Sequence, residues 1–280
     1  MTSPSQAGVL LSIDGDSLAH RAYHALPKSI RGEGGRPANA LVGFGNFLLR
    51  LWESERPVSV VVGWDTLDTP NYRNEALPEY QTGRVFEAAI VEQLAALPAL
   101  VESFGFVAAK AAGFEADDFL AASVAGWAGP VLVATSDRDA FQLVSGRVTV
   151  LQPVKGVSQL ARIGPAEVRE RYGVDPEQVP DFIALRGDSS DRIPGAKGVG
   201  PKSAANILGQ YGTLEAALEA GRFEAVADDL RLYRRVATMD PGAPLPKLAE
   251  TPPDWGRAEA TAVEFGLNGL ARRIAELADA

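Results

Sequence analysis

GFEADDFLAASVAGWAGPVLVATSDRD, residues 113–139, holds a helical run and a strand-like run, each flanked by carboxylates. ADDFLAASVAGWA (116–128) is rich in helix formers and reads as a helix. VLVAT (131–135) is a short uncharged run behind a Gly-Pro pair and reads as a buried strand. A helix that feeds a fully buried strand is the repeating piece of a parallel sheet. The same alternation continues outward in both directions. VLLSI (9–13), VSVVV (58–62), GFVAAK (105–110) and RVTVLQ (147–152) are strand-like. Residues 38–52 place Leu41, Phe44, Leu48 and Leu51 at helical spacing, and residues 85–103 read as a long helix containing Pro98. The pattern predicts an α/β fold over residues 8–172, a parallel sheet flanked by helices.

Nine acids close or directly follow these apolar runs or lie in a later loop: Asp14, Asp65, Glu115, Asp117, Asp118, Asp137, Asp139, Asp188 and Asp191. Open sheets of this kind bind ligands beyond the carboxyl ends of their strands. One acid at such a place is ordinary as a helix cap or turn residue. Asp14, Asp65 and Asp137 all fall there, and EADD carries more acid than a helix dipole needs. So many like charges in one cleft repel unless cations lie between them. The chain has no cysteine, and its two histidines are His20 and His24, so thiolate and histidine-rich metal sites are excluded. Oxygen ligands remain, and these suit Mg2+ or Mn2+. Two such ions about 3.5–4 Å apart would hold a phosphate, activate a water and stabilise the leaving oxygen. The carboxylates would then be ligands rather than proton carriers.

The net charge is −9 over 280 residues, which argues against simple electrostatic binding of nucleic acid. The nine acids equal that excess, so the useful question is where positive charge gathers. From 186 to 202 there are four basic residues, Arg186, Arg192, Lys197 and Lys202, against two acids. GAKGVGPKS (195–203) nearly matches a P-loop, but Pro201 separates Gly200 from Lys202 and no buried strand precedes it. It reads instead as a helix–hairpin–helix turn that grips a nucleic-acid backbone without sequence preference. Residues 173–240 are expected to be a small helical subdomain. In 241–280 a proline-rich extended piece is followed by EATAVEFG, a strand or turn, and LNGLARRIAEL, a helix packing back on the first domain. Residues 66–84 are polar, hold two prolines and bring Arg73, Tyr80 and Arg84 near Asp65, as a lid or substrate clamp would. No apolar run reaches membrane-span length and MTSPSQAG lacks a signal peptide's regions, so a cytoplasmic protein is expected.

LLSIDGDSLAHRAYHAL, RPANALVGFGNFL, VVVGWD, YRNEALPEYQTGR, GFEADDFLA, TSDRDAFQL and ALRGDSSDRIPGAKGVGPKSA together resemble the 5′-nuclease family. That family includes the 5′→3′ exonuclease domain of bacterial DNA polymerase I and the flap endonucleases. The motifs run in family order from residue 10 to about 215. No polymerase segment follows, so a stand-alone enzyme is expected. The resemblance implies a PIN-like fold with a helix-two-turn-helix subdomain, and metal-dependent cleavage of DNA at a 5′ end, nick, overhang or flap. It implies a first metal group of Asp14, Asp65, Glu115 and Asp117, and a second of Asp118, Asp137, Asp139, Asp188 and Asp191. Arg84, Arg73 and Tyr80 would act on the reacting strand, with Tyr80 stacking on a base or packing inside the lid. Arg21, Arg186, Arg192, Lys197, Gly198, Gly200, Lys202 and Ser203 would contact DNA, with K+ at the Gly198–Gly200 turn. A monomer is expected.

One residue departs from the family pattern. A lysine usually follows the lid tyrosine and contacts the reacting phosphate, whereas this chain has Tyr80-Gln81. Loss of that charge could cost on the order of 10²-fold in rate, unless Arg84 or Arg73 carries the role. Two other readings stay open. One is a DNA-junction-binding paralogue with weakened catalysis. The other is a PIN-type ribonuclease, against which the glycine hairpin and GDSSD argue.

Overall fold

The computed structural model describes residues 8–66, 69–83, 85–155 and 159–279. Among them, six strands form one mixed sheet in the order β3-β2-β1-β4-β5-β6. They are β1 (Leu10–Asp14), β2 (Ser59–Gly63), β3 (Val107–Ala109), β4 (Val131–Ala134), β5 (Val148–Lys155) and β6 (Gln159–Ile163). The first five are parallel, and β6 pairs antiparallel with β5 at the edge.

Every residue of β1, β2 and β4 is buried, which explains their unbroken apolar text. Alternate residues serve opposite faces. Leu11, Ile13, Val60, Val62, Leu132 and Ala134 enter one core, whereas Leu10, Val61, Val131, Val133, Val148 and Val150 enter the other. The first core is closed by α1 (Gly15–Ala25), α2 (Asn39–Glu55), α4 (Ala88–Ser103), α11 (Trp255–Glu264) and α12 (Asn268–Ala278). On the other face lie α5 (Ala116–Gly126), α6 (Pro165–Tyr172) and α7 (Val179–Arg186). There α8 (Pro201–Tyr211), α9 (Leu214–Glu219) and α10 (Ala227–Ala237) extend the helical half. The short α3 (Tyr72–Ala76) lies in the polar stretch between β2 and α4. Among the described residues no helix is long and apolar enough to cross a membrane.

Two elements differ from the sequence expectation. EATAVEFG belongs to a helix, α11, not to a strand or turn. Its Ala258 and Ala262, one turn apart, are fully buried, and Trp255 meets the Trp52 ring edge-on at 4.8 Å. Small residues let α11 press against its neighbours, a logic that a hydrophobic count does not register. The antiparallel β6 was not anticipated, because its first four residues are exposed or half-buried and lack a strand's apolar face. The chain after β1 is α1, whose first turn holds the Gly15-Asp16 pair.

Candidate active site

The carboxylates are placed by backbone capping. Asp14 ends β1 and caps α1, accepting from Ser17 N at 2.9 Å and from Thr135 Oγ1 at 2.6 Å. Gly15 permits this turn, since a Cβ there would lie 2.5 Å from the Trp64 ring. Beyond β2, Asp65 accepts from Ala116 N at 2.7 Å and so satisfies the first turn of α5 from outside the helix. Its own N–H donates to Asp16 Oδ2 at 2.7 Å. After β4, Asp137 N donates to Thr135 Oγ1 at 2.9 Å, and Asp137 Oδ1 accepts from Asp139 N at 2.9 Å. Thr135 therefore ties the ends of β1 and β4 together.

The result is a cavity of about 250 Å³ lined by Asp14, Asp16, Asp65, Glu115, Asp117 and Asp137, with Ser17, His20, Gln81 and Phe86 at its walls. An adjoining cavity of about 480 Å³ is lined by Asp137, Asp139, Asp188 and Asp191, so Asp137 faces both. Burial, reinforced by the charges of Asp65 and Asp137, pushes Asp14 up to about 7. Burial also lifts Glu115 to about 7, against the opposing pull of Arg73. Asp16, Asp117 and Asp139 are held well above the ordinary carboxylate range, chiefly by burial and then by neighbouring acids. Asp117 Oδ1 is buried with no hydrogen-bond partner. An all-oxygen wall of mutually repelling acids with an orphaned carboxylate oxygen fits hard divalent cations. Among the described residues no three acids are already drawn in around one point. Asp14, Asp65 and Asp137 are turned onto Thr135 and the backbone amides named above.

Several expected roles change. Asp118, expected in the second ligand group, is fully enclosed. Its oxygens take Arg73 Nη1 at 2.8 Å, Arg73 Nη2 at 2.7 Å, Asp240 N at 2.8 Å and Glu115 N at 3.1 Å. Arg73, expected to act on the substrate, is 3% exposed; it also meets Glu115 Oε2 at 2.9 Å and donates to Val236 O at 2.9 Å. It is a strut between α3, α5 and α10. Tyr80, offered as either stacking on a base or packing inside the lid, is 4% exposed and packed in the core, and its hydroxyl donates to Glu115 Oε2 at 3.2 Å. Arg84 lies outside the described residues. Asp16 was missed, although the spacing IDGD, two residues past a strand-end acid, was visible in the text.

On the helical side, Arg186 is half-buried, paired with Asp188 at 2.9 Å and held over the Phe182 and Tyr172 rings at 5.3 and 5.8 Å. It stiffens the GDSSD loop rather than reaching outward. Lys197, Gly198 and Gly200 lie exposed on the turn between α7 and α8, Lys202 and Ser203 lie exposed in the first turn of α8, and Arg192 is exposed nearby. Gly195 is required there, because its Cβ would lie 2.3 Å from Gly187 N and its φ is 71°. Arg21 is half-buried on α1 beside His20.

Two family models cover nearly the whole chain. "5′-3′ exonuclease, N-terminal resolvase-like domain" matches residues 9–173, and "5′-3′ exonuclease, C-terminal SAM fold" matches 174–254. The chain is 35% identical to a 5′-3′ exonuclease of Streptomyces coelicolor, over 94% of this chain and 97% of that one. It is 42% identical to DNA polymerase I of Mycobacterium tuberculosis over 75% of this chain, and the match spans about a quarter (24%) of that longer relative. Among solved structures, the bacteriophage T5 D15 flap endonuclease in a pseudo-enzyme-product complex with DNA and metal ions has a TM-score of 0.69 at 20% identity. That match covers 97% of this chain and 100% of the other. Flap endonuclease-1 from Methanococcus jannaschii has a TM-score of 0.61 at 15% identity, covering 97% and 92%. At those identities the likeness shows the fold.

Proposed function

The chain belongs to the 5′-3′ exonuclease family, and from that premise we propose that it hydrolyses DNA phosphodiester bonds near 5′ ends and at 5′-flap junctions. The observation that carries the reading is the gathering of Asp14, Asp65, Glu115, Asp117 and Asp137 onto one cavity at the carboxyl edge of the sheet. Asp14, Asp65, Glu115 and Asp117 would hold one Mg2+ or Mn2+, and Asp137, Asp139, Asp188 and Asp191 a second. Divalent ions held there would supply an activated water and charge stabilisation at the leaving oxygen. The chain's own residues position that chemistry. Thr135 fixes Asp14 and Asp137 in mutual register, and Asp16 and Ala116 N hold Asp65 from two sides. Arg73 and Asp118 brace Glu115 at the start of α5. The exposed turn at 195–203 would hold the duplex backbone, with K+ at its glycines.

The second reading, a junction-binding protein with weakened catalysis, draws support from the neutral Gln81 and the enclosure of Arg73. Cleavage of a 5′-labelled flap duplex with Mg2+ or Mn2+ separates the two. Wild type is expected to cut near the junction, and Asp137→Ala to cut on the order of 10²-fold more slowly or less. Asp137 is exposed, so the variant is expected to fold. Equal activity in both proteins would sink the assignment, and inactivity of wild type would favour the binding reading.

A further inference from the structure

Two residues with left-handed backbone meet across the cleft: Gln81 (φ 50°) in the lid and Arg192 (φ 58°) after the GDSSD loop. Neither is glycine, so the surrounding contacts must hold a conformation that a Cβ disfavours. Among the described residues, three hydrogen bonds join the two segments. Gln81 N donates to Asp191 O at 3.3 Å, Gln81 Nε2 to Asp191 Oδ1 at 3.0 Å, and Arg192 Nη1 to Thr82 Oγ1 at 2.7 Å. Gln81 Nε2 also donates to Tyr80 Oη at 2.8 Å, and that hydroxyl donates on to Glu115. A continuous chain of side chains thus links an acid of the first cavity, Glu115, to an acid of the second, Asp191. A carboxamide suits this place because it offers two donors without charge.

Beyond Gln81 lies a third cavity of about 520 Å³, walled by Thr66, Asn71, Asn74 and Thr82. It shares Asp65, Gln81, Phe86 and Glu115 with the carboxylate cavity, so the two are contiguous. Its hydroxyls and amides suit a sugar and base, and its volume is that of a small-molecule site. A strand whose phosphate reaches Asp14 and Asp65 has this space for what lies next to it. A longer single strand must continue past the segment tied down at Gln81 and Thr82.

We infer that Gln81 is a specificity-determining latch, which closes residues 69–83 onto the 188–192 loop and favours short 5′ ends over long 5′ single strands. The specificity rests on the nuclease reading above; the latch itself does not. Long flaps are cut from the open form.

Gln81→Glu keeps the size but sets a carboxylate against Asp191, and Thr82→Val removes the exposed second tie. In protein without metal or DNA, hydrogen–deuterium exchange at residues 72–83 and 188–192 is expected to quicken about tenfold in Gln81→Glu and less in Thr82→Val. With Mg2+, the ratio of long-flap to recessed-5′-end cleavage is expected to rise about tenfold in Gln81→Glu and less in Thr82→Val, whatever happens to the absolute rates. Unchanged exchange in both variants overturns the latch. Faster exchange with an unchanged cleavage ratio overturns its role in specificity. A wild type that cuts neither substrate overturns the nuclease reading and the specificity with it, while the exchange result still decides the latch.

Discussion

Arg73→Ala is expected to destabilise the fold by about 3–5 kcal/mol. The guanidinium is 3% exposed and Asp118 is 0% exposed, so their bidentate pair has almost no access to water. Arg73 also meets Glu115 Oε2 at 2.9 Å and Val236 O at 2.9 Å. Removing it leaves the sealed Asp118 and the half-buried Glu115 without their cation, and a carbonyl without its donor. Replacement by lysine recovers little, because one ammonium cannot reproduce the planar fork across Asp118. Urea unfolding in EDTA would show the loss directly. A change below about 1 kcal/mol would mean that Asp118 finds other partners, and the strut account would be wrong. Since α3, α5 and α10 meet at this residue, loss of activity in the variant follows loss of folded protein.

The second large effect has opposite signs for function and stability. Asp14→Asn is expected to lower cleavage by on the order of 10²–10³-fold, since a neutral amide is a poor ligand for a hard cation. The amide oxygen can still cap α1 through Ser17 N. In metal-free protein the same change is expected to be stabilising at neutral pH. The folded Asp14 carboxyl lies at about 7 against an ordinary 3.8, so the folded state binds the proton more tightly than the unfolded one between those values. Stability therefore falls as pH rises through that window and stays low above it. Asp16, Glu115, Asp117 and Asp139 shift the same way, so asparagine removes part of the slope rather than all of it. Melting temperatures in EDTA at pH 5 and pH 8 test this. Wild type is expected to drop further than Asp14→Asn, and equal drops would contradict the assigned cause.

The parts of the fold legible in the sequence were those written by local periodicity. β1, β2 and β4 are buried on both faces, so their text is apolar throughout and each has an acid at or just beyond its end. Edge strand β6 has little of that signal, and α11 packs through alanines. The site was legible as a set of acids, because the strand ends place them on one rim. Their individual roles were not. Asp117 and Asp118 are adjacent in EADD, yet one lines the cavity and the other is sealed behind Arg73. That difference depends on α10, whose Val236 carbonyl fixes Arg73 from 163 positions away in the chain. Tyr80 and Gln81 likewise acquire their meaning from Glu115 and Asp191, which no local pattern connects to them.

The most direct test of the central claim is flap-duplex cleavage by EDTA-stripped protein as Mg2+ or Mn2+ is titrated back, with ion binding followed by calorimetry on the same samples. The account predicts no product in EDTA, saturable recovery with either ion, and, in Asp14→Asn, weakened binding of one of the two ions together with loss of recovery. Cleavage that persists in EDTA, or full recovery in Asp14→Asn, would contradict it.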